Sequence, residues 1–281
     1  MKLRMMVWLA AAVCTASSWL GAAEKAEDVF RAGEARLASG DLQGALQQFA
    51  KAVRADQTNQ DYRQHYAMVR QVLMMRDSLP KEKDAAQWEY MARALHTFYI
   101  GNGLYADALA IDQQMHAKLN TASSALLLAE TQLAMNKPAE AAAVLGGLPA
   151  ERHDSTTRAI HGLALARQGK MAEAKRVAQS VQLASDAGPG AIYAVARCNA
   201  AVGNLDQACR MLVRCFESSP PSRLEGFKQH AKTSPEFAAL TSHAGFAAAL
   251  QTGSKVAESQ CSGGSSCATC PMRGKCASGA Q

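Results

Sequence analysis

The residues of this chain best suited to chemistry are its cysteines, eight among 281 residues. Four of them close the sequence as Cys261-x5-Cys267-x2-Cys270-x5-Cys276, a pattern symmetric about its central pair. Thiols so spaced can join as disulfides in three alternative pairings, or as thiolates can satisfy the tetrahedral geometry of zinc. Cys198 and Cys209 stand apart from these, with Cys215 nearby. Each of the first two lies five residues outward from a turn centred on Gly203 and Asn204. Antiparallel helices joined by that turn would bring both to one level, so a Cys198–Cys209 disulfide is a candidate. Helix axes about 8 to 10 Å apart strain against the roughly 7 Å that a disulfide allows between Cα atoms, so buried free thiols are the alternative.

The search for other chemistry is negative. Gly274-Lys275 is followed by Cys276 and lacks the upstream glycine of a phosphate loop. No Gly-x-Ser-x-Gly elbow and no His-Glu-x-x-His occurs. Cys267-Ala268-Thr269-Cys270 is followed by Pro271, not by the histidine of a haem attachment site. The seven histidines, His65, His96, His116, His153, His161, His230 and His243, show no ligand-like spacing. No catalytic residue and no cofactor is assigned, with zinc at the tail cysteines the candidate metal and an iron–sulfur cluster disfavoured, and the chain is expected not to be an enzyme.

The elements that hold these residues follow from composition and periodicity. Hydrophobic residues make up 48% but aromatics only 6%, a balance that excludes disorder and favours closely packed helices over a β-sandwich. The formal charge of +6 is not gathered into any basic run, so nucleic acid is not an expected partner. Lys2 and Arg4 precede an apolar stretch from Met5 to Val13, and Gly21-Ala22-Ala23 supplies small residues before a polar segment. This is the pattern of a secretory signal over residues 1–23, cut after Ala23, with membrane contact only if it stays attached. The stretch is short for a membrane span.

From there an internal period of 33 to 34 residues takes over. Ala45, Ala108, Ala141, Ala174 and Ala208 are separated by 63, 33, 33 and 34 residues. Five residues before each stands Gly40, Gly103, Asn136, Gly169 or Gly203, the residue types that tolerate a left-handed helix end. Twelve before each stands Gly33, His96, Ala129, Gly162 or Ala196. The period predicts helix hairpins touching at small residues and stacked on copies of themselves. The 63-residue gap leaves room for one degenerate copy, with Tyr62, Tyr66, Val69, Val72 and Leu73 on its apolar face.

These columns resemble the tetratricopeptide repeat, a 34-residue helix-turn-helix unit, over residues 26–220. The small eighth position matches Gly33, Ala129, Gly162 and Ala196, and the twentieth-position alanine matches the five anchors. The apolar position 24 matches Phe49, Leu145 and Leu212, and position 27 matches Ala52, Val181 and Cys215. His96 and Asp112 depart from the pattern, and the family's proline appears only as Pro220. The resemblance implies an all-α, right-handed solenoid of about six hairpins, one degenerate, over residues 24–218. Short capping helices follow over 219–251, then a Gly-, Ser- and Cys-rich tail over 252–281 that cannot build a core.

Carried over residue by residue, the family's concave groove falls on Phe30 and Glu34, then Tyr90, Arg93 and Thr97. It continues on Leu126 and Glu130, then Arg167, Tyr193 and Arg197. Arginines and tyrosines on one surface suit acidic or aromatic peptide segments. The function this implies is an exported scaffold that binds peptide segments or helices of other proteins in the periplasm or cell envelope. The alternative is a thiol-redox or metal-binding envelope protein that acts through its tail and docks by its repeats.

Overall fold

The computed structural model describes residues 25–257, and among them every regular element is a helix. The expected signal segment and the tail cysteines Cys261, Cys267, Cys270 and Cys276 lie outside the described residues. The described residues divide into two compact units, with the boundary between Asn136 and Lys137.

The first unit runs α1 (25–38), α2 (Leu42–Ala55), α3 (Gln60–Ser78), α4 (Ala85–Gly101), α5 (Tyr105–Leu119) and α6 (Ala122–Ala134). The second runs α7 (Pro138–Gly146), α8 (Ser155–Arg167), α9 (Met171–Ser180), α10 (Pro189–Ala201), α11 (Leu205–Ser218), α12 (Pro221–Thr233) and α13 (Ala244–Gln251). A 3-10 turn, Pro235–Leu240, joins the last two. Within each unit helices pack against their sequence neighbours, and α8 also packs on α10, first helix on first helix. This is an all-α helical-repeat fold.

Local chemistry sets the boundaries. Asp41, Asn59, Asp84, Thr121 and Asp154 each cap a helix by accepting a backbone N–H of its first turn. The turn column behaves as one class: Gly40, Gly103, Asn136, Gly169 and Gly203 have φ of 83°, 72°, 56°, 80° and 85°. A side chain with a β-carbon is strained there, so glycine recurs and asparagine is the substitute.

The five anchor alanines are fully buried. The small column is needed for close approach: a β-carbon on Gly33 would sit 2.6 Å from Phe49 Cε1, and one on Gly162 would sit 2.7 Å from Cys198 Sγ.

Three expectations change. The 63-residue gap holds one long helix, α3, rather than a second hairpin. Tyr62, Val69, Val72 and Leu73 form its buried stripe, and Tyr66 packs partly buried beside it. The α-helix gives way to a 3-10 turn at Leu79–Lys81, where Pro80 has no N–H to continue the ladder. The second change is at α9, which stops at Ser180, leaving Val181 extended and only half-buried. The third is α12, a 13-residue helix longer than the short capping helices expected there; Leu224, Phe227 and Ala231 pack it on the terminal core, with only Ala231 fully buried.

After α11 the chain folds back on the final hairpin. Leu212, Cys215 and Phe216 share one core with Phe237, Leu240, Phe246 and Ala249.

Candidate functional site

The residues assigned to one groove have two different fates. In the first unit, Tyr90, Arg93 and Thr97 lie at i, i+3 and i+7 on α4, so they form one stripe. Tyr90 is 66% exposed, unusual for an aromatic side chain that could have been buried. Arg93 pairs with Glu89 at 2.7 Å and donates to Ser123 Oγ at 3.3 Å. The second contact ties Arg93 to the residue next to the start of α6. Thr97 is exposed, and its Oγ1 donates to the Arg93 carbonyl. Leu126 and Glu130 are half-buried on α6, and Glu34 is exposed on α1. At one end, Lys118 Nζ lies 4.0 Å over the Trp88 ring.

Phe30 belongs to the core instead. It is buried with ring centroids 5.3 Å from Phe49 and 4.7 Å from Tyr62. No groove ligand can use it without opening the unit.

The departures from the repeat pattern, His96 and Asp112, prove to be partners. His96 Nδ1 lies 2.7 Å from Asp112 Oδ1, and Thr131 Oγ1 donates to Asp112 Oδ2 at 2.6 Å. Asp112 is fully buried, so this triad ties α4, α5 and α6 together through one carboxylate. Spacing alone could not reveal it, because each residue looks like an isolated lapse from the repeat.

In the second unit the assigned residues turn toward the fold's own C-terminal segment. Arg167 and Arg197 both donate to Glu236, whose side chain is 1% exposed. Burial alone would raise the Glu236 carboxyl, but the Arg197 charge and hydrogen bond, with Arg167 beyond them, outweigh it and hold it below the usual range. Tyr193 is buried between Phe227 and Phe237, with centroids 5.0 and 5.8 Å away, and its hydroxyl lies 2.7 Å from His230 Nδ1. A shallow depression of about 440 Å³ remains over Tyr193, Arg197, Arg223, Phe227 and His230.

Cys198 and Cys209 are free thiols, and so is Cys215. Their neighbours explain why the first two do not bridge. Cys198 faces Gly162 on α8, whereas Cys209 faces His243 and Gly245 at the start of α13. One helix hairpin thus sends its two thiols to opposite sides. Burial pushes the Cys198 thiol up to about 12 and the Cys215 thiol up to about 11. Among the described residues no cluster of His, Cys, Asp and Glu could hold a metal ion, and no helix is long and apolar enough to cross a membrane.

No family model and no curated protein matches the chain. Among solved structures, a thermophilic TPR protein of Thermus thermophilus is similar over 74% of this chain and 97% of its own length. The identity is 18% and the TM-score 0.39.

Proposed function

We propose that this chain is an exported, non-catalytic scaffold that binds other proteins of the bacterial cell envelope through the exposed stripe of α4. The observation that carries this reading is the α4 stripe. Tyr90 stands exposed beside an arginine already oriented by Glu89 and Ser123, so little side-chain entropy is lost on binding. Such a surface suits an acidic or aromatic peptide segment or an amphipathic helix, since arginine forks a carboxylate and tyrosine is a low-entropy anchor. Export and the envelope as compartment rest on the charged, apolar and small-residue order of residues 1–23.

The test is affinity capture from an envelope fraction with the full mature chain and with the double variant Tyr90→Ala, Arg93→Ala. Loss of a hot-spot aromatic costs about 2 kcal/mol or more, roughly thirtyfold in affinity, so the captured partner should disappear. Undiminished capture by the double variant contradicts the assignment of this face.

A further inference from the structure

Helix α3 is a single helix where the period predicts a hairpin, and its outward face is patterned. Gln60, Gln64, Ala67, Gln71, Met74 and Ser78 follow one another at alternating intervals of four and three residues, and all six are exposed. That spacing is the seam of a coiled coil, positions a and d of a heptad. Every charged residue of the helix, Asp61, Arg63, Arg70, Arg76 and Asp77, lies off the stripe. A face meant only for water carries charged residues along its middle, whereas here they are moved aside.

The flanks of the stripe are patterned too. The residue before each a position is Arg63, Arg70 or Asp77, and the residue after each d position is Asp61, Met68 or Met75. Met68 and Met74 are 38% and 53% exposed, two large apolar side chains on the outward side of one helix. Tyr62, Val69, Val72 and Leu73, on the opposite side, are already committed to the core of the unit. Asp77 is 62% exposed and pairs only with its neighbour Arg76, at 3.2 Å, a surface contact that contributes little. Its carboxylate is therefore available to a stronger partner.

We infer that this stripe is a self-association surface, on which α3 of a second copy of the chain lies antiparallel across a two-fold axis. The charges on the flanks name the occupant. In an antiparallel pair like flanks meet, so Arg63 faces Asp77 of the second copy and Asp77 faces its Arg63, two ion pairs from one contact. On the other flank Met68 meets Met68 of the second copy. In a parallel pair unlike flanks would meet, Arg63 against Met68 and Arg70 against Met75, and no opposite charges would pair.

The antiparallel register also uses the whole helix. Its layers set Gln60 on Ser78, Gln64 on Met74 and Ala67 on Gln71, each made twice, over a length of about 28 Å. Glutamines in a seam fix register at a cost in stability, because each amide needs a partner in its own layer. Arg70 meets Arg70 of the second copy at the rim, where salt screens the repulsion. The dimer is accordingly weak and dependent on concentration, and it does not involve the α4 stripe.

The experiment is sedimentation of the full mature chain over about a hundredfold range of concentration, kept reduced so that no cysteine links two copies. The average mass should rise from one copy toward two. Met74→Glu sets a charge in two layers and should weaken association by on the order of tenfold or more. Asp77→Arg turns both ion pairs into repulsions and should weaken it severalfold, and adding Arg63→Asp re-forms the pairs in reverse and should recover most of that loss. All three positions are exposed, so circular dichroism of the dilute variants should show the parent's helical signal and melting curve. A parent that stays monomeric throughout, or a dimer indifferent to Met74→Glu, overturns the surface. A charge-reversed double variant no better than Asp77→Arg alone overturns the antiparallel pairing.

Discussion

The same repeat positions serve solvent in one unit and the fold's own end in the other. On α4 the assigned residues Tyr90, Arg93 and Thr97 remain at the surface, braced by Glu89 and Ser123. On α8 and α10 the assigned residues Arg167, Tyr193 and Arg197 are taken up by Glu236, His230 and Phe237, which follow the last hairpin. A terminal repeat must cover an apolar face that has no next neighbour. Here the cover is fastened by charge as well as by apolar contact, and it occupies positions that would otherwise serve a ligand. On the proposed function, binding falls to the first unit, while the second spends the same positions on termination.

The largest expected effect comes from breaking that fastening. Glu236→Gln leaves Arg167 and Arg197 without the carboxylate they share, a loss of about 3 to 5 kcal/mol for a buried pair, read as a fall in melting temperature by circular dichroism. The linkage has a definite sign. The Glu236 carboxyl is held below its usual value of 4.5 in the folded state, so its contribution is fully present above that value. It is lost as pH falls through the folded value. The melting temperature of the parent should therefore drop more steeply on acidification below pH 4.5 than that of Glu236→Gln. Equal acid slopes would mean that the pair does not hold the cap.

Next come the two close glycines, which separate the units by what each glycine touches. Gly33→Ala drives a methyl group into the fully buried Phe49 ring, which has no free space, and should cost about 1 to 3 kcal/mol. Gly162→Ala meets Cys198 Sγ instead, so adding Cys198→Ala should recover most of its loss. Thermal melts of the single and double variants decide this, and no recovery would show that the sulfur is not the obstacle.

The buried triad of the first unit gives a smaller effect and a sharper contrast. Asp112→Ala leaves His96 and Thr131 without their acceptor and should cost about 1 to 3 kcal/mol. The double change His96→Ala, Asp112→Leu restores the small and apolar types that the repeat carries elsewhere and should recover stability relative to Asp112→Ala. A double variant no more stable than the single one would show that the triad is more than a local exchange of polar for apolar contact.

Much of the fold was legible because its columns are set by backbone geometry. Positive φ demanded glycine or asparagine at the turns, and close helix contact demanded small residues, so both recur at fixed intervals. The helices Leu42–Ala55 and Leu205–Ser218 carry Ala45 and Ala208, both fully buried, where the period sets them. Helix α12 was less legible, since its stripe of Leu224, Phe227 and Ala231 is short and two of the three are only partly buried. The site was less legible for a different reason. Which arginine faces solvent and which faces a carboxylate depends on Glu236, 39 residues beyond Arg197 and outside the period. His96 and Asp112 likewise read as two lapses until the fold sets them 2.7 Å apart. Periodicity reports what repeats, whereas these pairs are made of what does not.

The most direct test of this division of labour measures partner capture and melting temperature on the same two variants. Tyr90→Ala, Arg93→Ala should lose the captured envelope partner and melt within about 0.5 kcal/mol of the parent, as surface changes do. Glu236→Gln should melt well below the parent and, at a temperature where it remains folded, still capture the partner. Capture retained by the first variant, or abolished by the second while its helical signal is intact, would contradict the account.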